Sequence, residues 1–84
     1  MNAKQSKTLG ALFKHPTPSD VRWSDVESLL LALGASISEG RGSRVLVTLN
    51  GVDAVFHRPH PKPQTDKGAL VAVRKFLASA GVKP

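Results

Sequence analysis

The stretch from Arg44 to His57 leaves the chain little choice of local structure, because two largely apolar segments, Val45 to Leu49 and Val52 to Phe56, flank Asn50-Gly51. A two-residue type I′ turn needs positive φ at both central positions, and asparagine and glycine are the residues that tolerate it. Closing the turn there pairs Leu49 with Val52. Counting outward sets Val47 opposite Ala54 and Val45 opposite Phe56 on one face, which reads as the core face. The other face has Thr48 opposite Asp53, Leu46 opposite Val55 and Arg44 opposite His57. An arginine and a histidine are therefore expected side by side, directly after a glycine-rich basic turn running from Glu39 to Ser43.

The flanking segments supply helices. Ser24-Asp25-Val26-Glu27 has the spacing of a capping box, in which Ser24 would receive the Glu27 amide and Glu27 would reach back. Val26, Leu29, Leu30 and Leu33 then follow i, i+3, i+4, i+7, and Gly34 stands where a left-handed residue ends a helix. Residues 35–39 alternate over a short span and read as a first strand. After His57, the alternate prolines of Arg58-Pro59-His60-Pro61-Lys62-Pro63 impose an extended connector. Thr65-Asp66 offers an N-cap, and Ala69, Leu70, Val73, Phe76, Leu77 and Ala80 form one apolar face before Gly81. The expected elements are a helix over 24–33, strands over 35–39, 44–49 and 52–57, and a helix over 66–80. One apolar face per element gives an α+β fold of order α-β-β-β-α, a three-stranded antiparallel sheet with two helices on one face. Residues 1–20 hold Lys4, Lys7 and Lys14 with few bulky apolar residues apart from Leu9, Leu12 and Phe13. They read as a flexible basic tail with at most one helical turn, leaving residues 21–84 as a single domain.

Charge narrows the partner. Twelve Lys and Arg against six acids give a net +6 in 84 residues, which favours an anionic partner, nucleic acid first among them. An apolar fraction of 40% supports one small core and leaves no room for a large catalytic cleft. The absence of Cys removes thiol nucleophiles, disulfides and cysteine zinc sites, and fits a reducing cytoplasm. The longest apolar run, Leu29 to Leu33, is far short of the ~20 residues of a membrane span, so no membrane partner is expected. Arg41, Arg44, Arg58 and Lys62 cluster around one end of the hairpin, and Lys67, Arg74 and Lys75 lie on the last helix. As a set they suit a phosphate track. Aromatic stacking on bases is not expected, since Phe56 and Phe76 belong to the core face and Trp23 to the first helix, so recognition would be of backbone and shape.

The element order, with a basic turn before the central strand, is that of a double-stranded-RNA-binding domain. The residues resemble more closely the HicA family of bacterial toxins: a helix ending at Leu33-Gly34, Gly42-Ser43 opening the second strand, and a third strand ending in His57. The resemblance continues through Lys67-Gly68-Ala69-Leu70, Arg74-Lys75-Phe76-Leu77 and Ala80-Gly81-Val82, covering roughly residues 22–82. It implies a small cytoplasmic ribonuclease that cleaves messenger RNA without a metal or other cofactor and is neutralised by a HicB-like antitoxin.

One departure bears on the chemistry. The family's catalytic histidine follows the Gly-Ser pair, and this chain has Arg44 there. Arginine stays protonated at physiological pH, so it cannot accept the proton of a ribose 2′-hydroxyl; it can bind phosphate or stabilise charge on it. Three readings stay open. His57 or His60 acts as base with Arg44 as its electrostatic partner, the chain binds RNA without cutting it, or the resemblance is one of fold alone. A fixed cation opposite an imidazole favours the neutral, proton-accepting form, which suits a general base. His60 lies in the connector, close enough in sequence to serve as a paired acid, and no third ligand accompanies the two histidines to make a metal site.

Overall fold

The computed structural model describes all 84 residues, and its centre is the hairpin. Asn50 (φ 50°) and Gly51 (φ 80°) close the turn in the left-handed region, and the Asn50 side-chain amide donates to the Ala80 carbonyl at 2.8 Å, tying the turn to the end of the last helix. The elements in chain order are α1 (Ala3–Leu12), α2 (Trp23–Ala32), β1 (Ser36–Glu39), β2 (Arg44–Leu49), β3 (Val52–His57) and α3 (Lys67–Ser79). The sheet is antiparallel in the order β1-β2-β3. From α2 onward this is the α-β-β-β-α order expected, and the β2–β3 register is the one read from the turn: Leu49 faces Val52 and Arg44 faces His57, with every pair between in step.

Alternation then sorts the sheet into two faces. Val45, Val47, Leu49 and Phe56 are buried on the helical side, while Arg44, Leu46, Asp53, Val55 and His57 are exposed on the other. Helices α2 and α3 lie over the buried face. They contribute Val26, Leu29 and Leu30 from one and Leu70, Val73, Phe76 and Leu77 from the other, at the i, i+3, i+4 spacing that gives a helix one apolar stripe. Phe56 sits between Trp23 at 5.9 Å and Phe76 at 5.7 Å, the latter edge to face, so an aromatic line crosses from α2 through β3 to α3. Both helices end as expected. Gly34 (φ 95°) and Gly81 (φ 83°) are left-handed, and the next amides, of Ala35 and Val82, bond back to Leu30 and Leu77 in a Schellman arrangement. Asp66 caps α3 through its carboxylate, which accepts from the Ala69 amide at 2.7 Å.

Two expectations are corrected. The N-terminal segment, read as a flexible tail with at most one helical turn, instead forms α1, a ten-residue helix whose Thr8, Leu9 and Leu12 are buried against α2 and α3. Its start is set by a reciprocal cap: the Gln5 amide donates to the Asn2 side chain at 2.8 Å, and the Asn2 amide donates to the Gln5 side chain at 2.9 Å. The Gln5 side-chain nitrogen also reaches Ser28 Oγ at 3.0 Å, joining α1 to α2. Ser24, in turn, is not the cap of α2. The helix begins one residue earlier, with Arg22 as an N-cap that makes no side-chain bond. The chain around Arg22 is pinned as extended backbone by the connector, since the Trp23 amide bonds the Pro63 carbonyl at 3.1 Å and the Thr65 amide bonds the Val21 carbonyl at 2.7 Å. That pairing supplies a partner for an otherwise orphan helix donor and leaves the Glu27 carboxylate free for another use. No helix is long and apolar enough to cross a membrane.

Candidate functional site

The turn that closes the hairpin also decides how Arg44 and His57 meet. A two-residue loop makes the pair next to it hydrogen-bonded, and the two kinds of pair alternate outward along the ladder. Arg44 and His57 are thereby a pair that exchanges no backbone hydrogen bonds, consistent with the next position out, where the Arg58 amide donates to the Ser43 carbonyl at 2.8 Å. In such pairs the Cα atoms approach to about 4.5 Å and the side chains leave the sheet together. Both residues are exposed and stand at the open end of the hairpin, on the side of the sheet that no helix covers. Beside them on that face lie Leu46 and Val55, opposite each other and 42% and 57% exposed, and beyond those the Thr48 hydroxyl donates to the Asp53 carboxylate at 2.7 Å. The open face thus runs from a cationic end through an apolar middle to an acidic, hydrogen-bonded end.

The glycine-rich turn presents a further cation. Gly42 is left-handed (φ 62°), and the reversal is closed by Gly40 N–H to the Arg44 carbonyl at 2.9 Å and Arg44 N–H to the Arg41 carbonyl at 3.2 Å. At Gly40 a Cβ would come within 3.1 Å of the Arg44 Cβ, so a side chain there would press on Arg44. Arg41 and Arg44 are exposed, and neither makes an ion pair; of the twelve Lys and Arg residues only Lys4 and Arg58 do. The unpaired charge is what an anionic ligand would meet.

The remaining candidates divide into groups. His60 and Lys62 are exposed in the connector, outside the ladder that sets Arg44 against His57. Lys67, Arg74 and Lys75 belong to α3, on the helical layer, and so do not share the open sheet face with Arg44 and His57. The basic set is therefore two patches, one at the sheet end and one on the helices. No group of three or more His, Asp or Glu side chains converges to hold a metal ion. The two concavities of the surface lie along α1 and α2, and Arg44 and His57 line neither. Arg44 and His57 stand on an exposed surface outside both concavities.

Arg58 behaves unlike its neighbours. Read from sequence as one more phosphate contact, it has its guanidinium shared between two carboxylates: Nε and Nη2 donate to Glu27 at 2.8 and 3.2 Å, and Nη1 donates to both oxygens of Glu39 at 2.7 and 2.6 Å. Glu27 also accepts from the Trp23 indole N–H. The bond from Arg58 holds the Glu27 carboxyl below its usual range, the indole bond adds to this, and burial partly opposes both. Arg58 is in turn held further on its charged side, by Glu27 first and then Glu39. Sequence reasoning missed Glu27 and Glu39 as members of this cluster, because they lie 31 and 19 residues from Arg58 and no local pattern links them.

No curated protein and no solved structure matches the chain. The family model described as the HicA toxin of bacterial toxin-antitoxin matches residues 23–82, which is α2 through the turn after α3 and includes the whole sheet, Arg44 and His57. With the helix-sheet-helix order, the register and the glycine-closed basic turn in place, the chain belongs to the HicA toxin family.

Proposed function

We propose that this chain is the RNA-cleaving toxin of its toxin-antitoxin pair, a metal-independent endoribonuclease that acts on messenger RNA in the cytoplasm, with Arg44 and His57 as the working residues. The observation that carries the reading is the pairing of a titratable imidazole with a permanent cation on the uncovered face of the sheet, beside the unpaired Arg41. RNA supplies its own nucleophile. His57 takes the proton of a ribose 2′-hydroxyl as its oxygen attacks the adjacent phosphorus, and the bond to the 5′-oxygen of the next nucleotide breaks. The products are a 2′,3′-cyclic phosphate and a 5′-hydroxyl end, the latter taking a proton from His60 or from water. Arg44 stays charged throughout and stabilises the phosphorane as its negative charge grows, the role of a preorganised cation. Arg41 and Lys62 hold flanking phosphates, while Lys67, Arg74 and Lys75 offer a second patch on α3. Membership of the family implies an antitoxin partner. Here it is a HicB-like protein that covers the exposed site.

A second reading keeps the fold and the RNA but not the cleavage, and one observation favours it: position 44, where the family resemblance expects histidine, holds a residue that cannot accept a proton. A single experiment separates the two. The purified chain is incubated with a long single-stranded RNA in EDTA and the product ends are identified. Fragments ending in 2′,3′-cyclic phosphate support the nuclease. If the parent leaves RNA intact and Arg44→His both cuts RNA and arrests growth of an expressing host, the chain is a binding module on a nuclease fold. If neither protein cuts or arrests growth, ribonuclease action is excluded for both.

A further inference from the structure

We infer that Arg58 is a positioning residue of the Arg44 and His57 site, its side chain clamping the Glu39 end of the 39–44 turn to α2, and is not itself a contact to RNA. The inference rests on the reading of Arg44 and His57 as the RNA site.

The β1–β2 ladder carries the turn as far as the pair of Glu39 with Val45. Beyond that pair residues 40–43 are all exposed and contribute nothing to the core, so no packing braces them. Arg58 adds two anchors, one from its backbone and one from its side chain. Its amide holds the Ser43 carbonyl at 2.8 Å, one residue before Arg44, and its Nη1 holds Glu39, the last residue of β1, at 2.6 and 2.7 Å. The other edge of the same guanidinium grips Glu27 on α2, and Glu27 accepts from Trp23, which is 5% exposed in the aromatic line of the core. A continuous run of polar contacts therefore leads from the core through Trp23, Glu27, Arg58 and Glu39 to the turn that bears Arg41 and delivers Arg44. His57 directly precedes Arg58 in the chain, so the clamped residue adjoins the second working residue as well.

The local charge balance opposes a phosphate contact. One guanidinium with two carboxylates is a net negative node, and Glu39 remains 68% exposed at its outer edge, where an approaching phosphate would meet it. The geometry also explains why the residue is arginine. Two carboxylates on different elements are bridged by a planar fork with five N–H donors, whereas an ammonium is a point donor that cannot present two edges.

The test uses the full chain with Arg58→Lys, which keeps the charge and removes the fork, and Arg58→Gln, which removes both. Amide exchange by NMR reports the turn, single-stranded RNA binding across salt reports how many phosphates the protein neutralises, and steady-state cleavage separates kcat from KM. Arg58→Lys is expected to speed exchange at the Gly40 and Arg44 amides by about tenfold or more. It should also lower kcat by about 10- to 100-fold with KM within about twofold of the parent, as misplacement of a reacting group does. Arg58→Gln should leave the slope of log K against log salt at the parental value. Parental exchange and cleavage in Arg58→Lys, or a slope reduced by about 0.7 in Arg58→Gln, the change when one phosphate is no longer neutralised, would overturn the inference. Should Arg58→Lys lose its cooperative melting transition, Glu39→Gln, which leaves the Glu27 bridge in place, carries the same exchange and kcat expectations. If the parent itself does not cut RNA, the nuclease reading fails alone, and the exchange and slope measurements still decide the role of Arg58.

Discussion

Leu12→Ala tests whether the N-terminal helix is part of the folded unit. Leu12 is 1% exposed in the last turn of α1 and belongs to the same core cluster as Leu29, Leu30, Leu70 and Leu77. Truncating a buried leucine to alanine costs about 2–5 kcal/mol, the transfer energy of the removed atoms plus the cavity left behind. A terminal helix can settle into part of that cavity, which places the expectation at about 2–3 kcal/mol. A domain of this size is stable by about 4–13 kcal/mol, so the change removes a large fraction of the total. The melting temperature should drop by about 10–20 °C, taking roughly 4–8 °C per kcal/mol for a chain of this length. Urea denaturation followed by circular dichroism gives the free energy, with an unchanged m-value showing that the variant still unfolds as one unit. Lys7→Ala, at an exposed position of the same helix, should stay within about 0.5 kcal/mol of the parent. A loss below about 0.5 kcal/mol for Leu12→Ala, or a separate early transition, would refute the packing of α1 as described.

Glu27 should make the fold acid-labile. Its carboxyl is held below the ordinary value of 4.5 when folded, so its contribution is complete above that value and is lost as pH falls through the lower folded one. Glu27→Gln should flatten the pH dependence of the melting temperature below about pH 4.5 and leave its slope near neutrality unchanged, read by thermal melts across that range. Arg44→Ala should weaken binding to single-stranded RNA and reduce the salt slope by about 0.7, the value for one phosphate no longer neutralised; an unchanged slope would make Arg44 structural.

How much of this is legible in the sequence depends on how local the cause is. The β2–β3 register follows from Asn50-Gly51 and alternation, both contained within the hairpin, and with it the meeting of Arg44 and His57. The glycine endings of α2 and α3 are equally local. Helix α1 carries a weaker signal: Asn2 and Gln5 have capping-box spacing, and Leu9, Leu12 and Phe13 stand at i, i+3, i+4. Lys4, Lys7, Gly10 and Lys14 dilute that stripe until it resembles a tail. At Ser24 a valid local pattern loses to tertiary structure, because backbone pairing with Pro63 and Thr65 starts the helix at Trp23 and draws Glu27 toward Arg58. That ion cluster joins α2, the end of β1 and the start of the connector, so it exists only once the sheet is folded onto the helices.

If His57 takes the proton of the 2′-hydroxyl beside a fixed cation, His57→Ala removes the proton acceptor and leaves the cation in place. The measurement is the single-turnover cleavage rate and the dissociation constant for one RNA, side by side for parent and variant. A general base works in the transition state and adds little to ground-state binding, so the rate should fall by about 100-fold or more while affinity stays within about twofold. An RNA-cleaving parent whose rate is unchanged by His57→Ala, or a variant whose rate falls only as far as its affinity, would show that His57 is not the base.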